Sequence, residues 1–193
     1  MGKGEFSGNT DYHLWERFKE GDKRAMEKIF YDHYSSLYNY GMRLCNDASL
    51  VEDSIQELFV ELISKLGSLG PTDHIDFYLL ASLRRKVFAK LKNNTTYNYA
   101  DQEDLMPVDD QESSPEEEWI DREADHNNSR KIRGLISSLP EREREAIYLK
   151  YFRNLSYRQI TEIMGVNYKS ARMLVYRALT SLREQCQEAF RDF

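Results

Sequence analysis

Apolar side chains recur every three or four positions along most of the 193-residue chain, the repeat of a helix with one buried face. No stretch alternates as a half-buried strand would, and neither an internal repeat nor a Gly-rich phosphate loop interrupts the pattern. Asp22 stands where an N-cap belongs, ahead of Ala25, Ile29, Phe30, Tyr34, Leu37, Gly41 and Leu44, which predicts a long helix reaching about Cys45. Asp47 or Ser49 opens the next, with Val51, Ile55, Phe59, Leu62 and Ile63 on one face. The segment GSLGPTDH breaks the repeat with two glycines and a proline. A further helix runs from about Ile75 to Lys92, striped by Leu80, Leu83, Val87 and Leu91. A shorter helix near Asp11 to Glu20 packs on these, giving a bundle of four helices.

The last third repeats the same logic on a smaller scale. Ile132, Leu135 and Ile136 close one helix, and Pro140 with Glu141 opens another, since proline suits the first turn and acids favour the positive end of the helix dipole. Ser156 caps a short helix holding Ile160, Ile163 and Met164, Gly165 permits a tight turn, and Asn167 caps the final helix. Two helices joined in this way predict a helix-turn-helix. In the final helix Ala171, Leu174, Val175, Ala178, Leu179 and Leu182 share one face, with Lys169, Ser170, Arg172, Met173, Tyr176 and Arg177 on or near the other. Such a face suits a DNA major groove: Arg takes guanine bidentately, Lys and Tyr hold phosphates, Met meets a thymine methyl. A merely solvated basic face is the competing reading. The fold class is therefore all-α, with two small helical domains.

The chain is acidic, with a net charge of -6, which sits badly with docking on a polyanion until the charge is divided by segment. Residues 1–93 hold 13 basic and 14 acidic side chains, residues 94–128 hold 1 and 12, and residues 129–193 hold 13 and 7. The middle stretch thus concentrates the acidity, and it has too few apolar residues to build a core, so it reads as a linker between domains at 1–93 and 129–193. The C-terminal domain is basic on its own account. No apolar run reaches the length of a bilayer crossing, MGKGEFSGNTDYH lacks the core of a signal peptide, and Phe6 breaks a myristoylation pattern, so the expected location is the cytoplasm. Cys45 and Cys186 read as buried reduced thiols. His13, His33, His74 and His126 fit no HExxH or Cys/His ligand spacing, and neither GxSxG nor a P-loop occurs, so no enzyme, metal or cofactor is expected. The histidine of DHID, His74, reads as a loop residue beside a helix cap rather than as half of an acid–base pair.

Two stretches resemble the sigma factors of bacterial RNA polymerase, in their extracytoplasmic-function group. LISSLPEREREAIYLKYFRNLSYRQITEIMGVNYKSARMLVYRALTSLRE is similar to the family's domain four, with its LP.R.RE opening and R.AL..LR close. GDKRAMEKIFYDHYSSLYNYGMRLCNDASLVEDSIQELFVELI is similar to domain two, where VEDSIQELFVEL resembles the family's AED..QE.F..L helix. The resemblance implies sigma domain two at 1–93, an acidic linker at 94–128 and sigma domain four at 129–193. It implies polymerase contact by Asp53, Gln56, Glu57 and Phe59. Contact with the downstream (minus-ten) promoter element falls to Arg84, Arg85, Lys86, Lys90 and Lys92, with a flipped base held by the loop Gly67 to His74. Lys169, Ser170, Arg172, Met173, Tyr176 and Arg177 fall where the family reads the upstream (minus-thirty-five) element, with Tyr157 and Arg158 on the neighbouring backbone. The chain departs from the family with Phe77, Tyr78 and Leu79 in place of Trp-Leu-Tyr, and with Arg84 where Asn is frequent.

The implied function is transcription initiation without covalent chemistry, by a factor that is a monomer when free and whose partners are core RNA polymerase, promoter DNA and an anti-sigma factor, with no small-molecule substrate. Spacing explains the need for the polymerase. The two elements lie about 25 base pairs apart, roughly 85 Å at about 3.4 Å per pair. A relaxed coil of about 35 residues averages some 30 to 35 Å, against about 115 Å fully extended. A partner must therefore hold the linker open, and its acids would suit a basic channel along the RNA path. Two rival functions stay open: a stand-alone helix-turn-helix regulator that dimerises on paired half-sites, and a helical adaptor with protein partners only.

Overall fold

The computed structural model describes residues 5–93 and 134–189 and, among these, contains helices, turns and loops but no strand. The chain divides into two compact units, Met1–Gln102 and Glu103–Phe193.

The first unit contains α1 (Glu5–Lys19), α2 (Lys23–Leu44), α3 (Ala48–Ser64) and α4 (Ile75–Asn93), with a single 3-10 turn, Leu66–Ser68, after α3. Asp22 caps α2 as its sequence position predicts, accepting from the backbone N–H of Arg24 and Ala25. Of the two candidates for the next cap it is Asp47 that serves, accepting from the N–H of Leu50. The helices bury Ala25, Ile29, Leu37 and Tyr40 of α2 against Val51, Ile55, Leu58 and Leu62 of α3 and Leu79, Leu80, Leu83, Val87 and Leu91 of α4. α1 begins six residues before the expected Asp11, and it closes the bundle with Trp15 and Phe18, both fully buried. Four positions of the α3 pattern come out differently. Ile63 is 42% exposed, while Leu50, Ser54 and Leu58, outside the expected stripe, are buried, because α3 is covered by α2 on one side and α4 on the other.

In the second unit residues 134–137 are helical, followed by α5 (Glu141–Ile147), a π turn at Tyr148–Phe152, α6 (Tyr157–Met164) and α7 (Tyr168–Ala189). Ile132, expected in the first of these, lies outside the described residues. Pro140 takes the N-cap position rather than the first turn, with extended ψ of 141°, and Glu141 and Glu143 supply the acids of that turn. Ala146, Ile147 and Leu149 pack with Ile160, Ile163, Ala171, Val175 and Ala178 to make the core. Two charged residues are drawn in with them: Arg144, 8% exposed, donates through Nη1 to the carbonyl of Ser137 at 2.9 Å, and Glu145 is 6% exposed. Beyond Ala178 the core thins. Leu179 is 42% exposed and Leu182 half-buried, so the expected apolar face of α7 narrows after its third turn. Cys45 is buried as expected, but Cys186 is only half-buried, since it lies near the far end of α7.

Candidate nucleic-acid and partner-binding surfaces

The turn between α6 and α7 is built by three small devices. Ser156 and Gln159 form a reciprocal capping box at the start of α6. Gly165 ends α6 in the left-handed region, φ 63°, where a side chain would be strained. Asn167 then accepts from the N–H of Ser170 at 2.8 Å and starts α7. These fix α7 with Ala171, Val175 and Ala178 inward, small enough to let it lie close to α5 and α6, and with Lys169, Arg172, Met173, Tyr176 and Arg177 outward. Tyr176 is 65% exposed, unusual for a large aromatic without a partner surface. Ser170 is half-buried at the helix start. Arg158 is exposed, whereas Tyr157 is half-buried: its ring meets Tyr168 edge-on at 5.9 Å, and the Lys150 ammonium lies 5.0 Å from its centre. Tyr157 is thus a strut between the two helix starts, and its partners Lys150 and Tyr168 carry no periodic signal that would have revealed them in the sequence.

The basic residues of α4 meet three different environments. Arg84 lays its guanidinium over the ring of Phe88 at 4.4 Å. Arg85 is exposed but folds back on its own helix, donating to the Ala81 carbonyl and the Ser82 hydroxyl. Lys86 and Lys90 cross to α3, where Lys86 Nζ lies 2.6 Å from Glu61 Oε2 and Lys90 Nζ 2.9 Å from Glu57 Oε1. Glu61 also takes Lys65 at 2.5 Å. Hydrogen bonds from Lys65 and Lys86 hold the Glu61 carboxyl down at about 2. Lys92 is exposed in the last turn.

The loop before α4 is held from behind by α1. Trp15 Nε1 donates to the Gly70 carbonyl at 2.9 Å, and Asp11 Oδ2 accepts from the N–H of Ile75 at 3.3 Å, capping α4 from another helix. The Trp15 ring also packs on Tyr78, 5.1 Å between centres. His74 is exposed, and its carbonyl accepts from the N–H of Tyr78, so it sits at the helix start as expected. The second acid of DHID, Asp76, faces a different histidine, His33, at 3.5 Å, an approach between α2 and α4 that no local motif encodes. Beside this loop a cleft of about 430 Å³ opens between α3 and α4, lined by Leu58, Leu62, Leu69, Tyr78, Ser82 and Arg85 among others.

On α3, Asp53, Gln56 and Glu57 are exposed on one face. Phe59 is 6% exposed and packs edge-on against Phe30 at 5.0 Å, so it positions the helix rather than presenting itself to a partner. Among the described residues, no helix is long and apolar enough to cross a membrane.

Comparison with known proteins bears on both units. The family model for region 4 of sigma-70 matches residues 129–182. RNA polymerase sigma factor SigZ of Bacillus subtilis is 28% identical over 159 residues, covering 82% of this chain and 85% of that protein. The RNA polymerase sigma-H factor of Pseudomonas aeruginosa is 23% identical, covering 94% and 96%, and the ECF RNA polymerase sigma factor SigM of Bacillus subtilis is 22% identical, covering 82% and 93%. The solved structure of CnrH in complex with the cytosolic domain of CnrY aligns with a TM-score of 0.57 at 16% identity, over 92% of this chain and 97% of that one, a likeness of fold.

Proposed function

We propose that the chain is a sigma-70 factor of bacterial RNA polymerase, in the extracytoplasmic-function group, and that its two units divide promoter recognition between them. It is a transcription initiation factor. In our reading the unit ending in α7 binds the upstream duplex, with Arg172 and Arg177 on guanine edges, Met173 on a thymine methyl and Lys169 and Tyr176 on phosphates. The unit holding α4 meets the downstream element as it opens, and the exposed Asp53, Gln56 and Glu57 of α3 dock on core polymerase. Domain limits at 1–93 and 129–193, with an acidic linker between, belong to the same proposal. So do an anti-sigma factor as second partner, a cytoplasmic location, a monomeric free state and the absence of any covalent step. The single observation that carries the DNA-reading role is the geometry of α7: a narrow buried spine of Ala171, Val175 and Ala178 opposite an outward face of cations, Met173 and Tyr176.

The test is in vitro transcription from the promoter upstream of the protein's own gene, with purified core polymerase and a pull-down of core polymerase alongside. Start-site-specific RNA is expected only when the chain is present. Arg172→Ala with Arg177→Ala should abolish most of it, since each bidentate contact is worth about 1–3 kcal/mol, while leaving the pull-down unchanged. No binding to core polymerase would sink the reading. The stand-alone dimeric regulator is not favoured, because the relatives that match along most of this chain are sigma factors in name.

A further inference from the structure

Two lysines of the downstream surface on α4 are paired with glutamates of α3, one of which, Glu57, belongs to the docking surface. Lys90 is bonded to Glu57, and Lys86 to Glu61, which also takes Lys65. Phosphate contact by Lys86 or Lys90 therefore competes with a pair that the free chain already makes. A cation on Glu57 or Glu61 competes for the same carboxylates from the other side and weakens their hold on the lysines. The pairs lie at the surface, with the Lys86 and Lys90 side chains 22% and 25% exposed and their glutamates 44% and 56%. Exposed pairs of this kind are weak enough to exchange for a better partner. They are not needed to join the two helices, which already meet through buried Leu58, Leu62, Leu83 and Val87.

We propose that Glu57 and Glu61 are positioning residues that withhold Lys86 and Lys90 from DNA in the free chain and release them when a cationic protein surface takes their carboxylates. The inference rests on the reading that α3 docks a protein and α4 meets DNA. Because one set of side chains serves both, each ligand removes part of the cost of binding the other, and the coupling is reciprocal. DNA contact then strengthens only on a chain already seated on its partner.

The experiment is a double-mutant cycle on the full chain, reading binding of a fluorescein-labelled single-stranded oligonucleotide across a salt series. Glu57→Gln with Glu61→Gln should steepen the dependence of log K on log salt by about 1.4, since each phosphate contact on a single strand contributes about 0.7. Lys86→Ala with Lys90→Ala should change the slope little in the wild-type background and cancel that gain in the glutamine background. Glu27→Gln with Glu52→Gln removes the same charge from the same unit without freeing a lysine and should leave the slope as it was. An unchanged slope in the glutamine variant, an equal gain from the control pair, or a lysine effect equal in both backgrounds would each overturn the proposal. With saturating core polymerase the lysine truncation should cost as much in the wild type as in the glutamine variant; a persistent difference rules out release. The cycle without polymerase needs only chain and DNA, so a failed pull-down would count against the docking reading and not against the withholding of the lysines.

Discussion

At Gly41 a single missing carbon sets how closely α2 and α3 approach. A Cβ there would lie 2.5 Å from Cγ1 of Val51, well inside contact distance, with the Val51 side chain itself locked between the helices. Gly41→Ala is therefore expected to destabilise the first unit by about 1–3 kcal/mol through overpacking, although alanine is the better helix former by about 1 kcal/mol. The midpoint of urea unfolding measures it, and Val51→Ala in the same background should recover part of the loss. In the sequence Gly41 only filled a place in an apolar repeat, with no sign that its size mattered. Phe59 is the converse case: its place in the apolar repeat already marks it as core-facing, and the Phe30 ring and its 6% exposure agree, although the family motif implies a partner contact. Lys86 and Lys90 were legible as cations on one helix, and their glutamates were legible on another. That the two rows meet depends on the rotation and crossing of α3 and α4, which periodicity leaves free.

Among elements, those with their own punctuation were the most legible. Asp22, Asp47, Ser156, Gly165 and Asn167 each mark a boundary by a local hydrogen bond or backbone angle, and the helices begin and end beside them. Ser156 is the most consequential of these, because it fixes the entry of α6, the helix that precedes α7. Ser156→Ala should cost about 1 kcal/mol of stability, seen as a lowered urea midpoint. The π turn at Tyr148–Phe152 had no such marker. It arises where the Arg153 N–H reaches back to Tyr148 and the Leu155 N–H to Leu149, while Asn154 takes a left-handed φ of 52° to leave the helix. The widened turn leaves Tyr151 and Phe152 at 56% and 54% exposure, with Phe152 stacked on the buried Tyr148. The start of α1 was missed for the opposite reason: EFSGNT has no apolar stripe, so nothing there announces a helix.

Across the whole molecule, charge is sorted by segment, and the acidic stretch at 94–128 outweighs the basic C-terminal third. Replacing the acids between Asp101 and Glu118 with Asn and Gln should tighten binding of the free chain to duplex DNA at low salt. The difference should shrink as the Debye length falls from about 10 Å at 0.1 M to about 3 Å at 1 M. Equal affinity for both chains at low salt, read by fluorescence anisotropy, would show that the acids play no part. The buried indole described above has a further use. Trp15 is sealed between Phe18, Tyr78 and the Gly70 carbonyl in the first unit, and the sequence from 134 to 189 contains no tryptophan. The accessible part of Cys186 lies in the second unit, while Cys45 is closed to reagents. With Trp119 changed to Phe, the chain becomes an optical ruler: emission from Trp15 can be transferred to a dye on Cys186, and the distance between the two units can be followed as polymerase, promoter or an inhibitor is added.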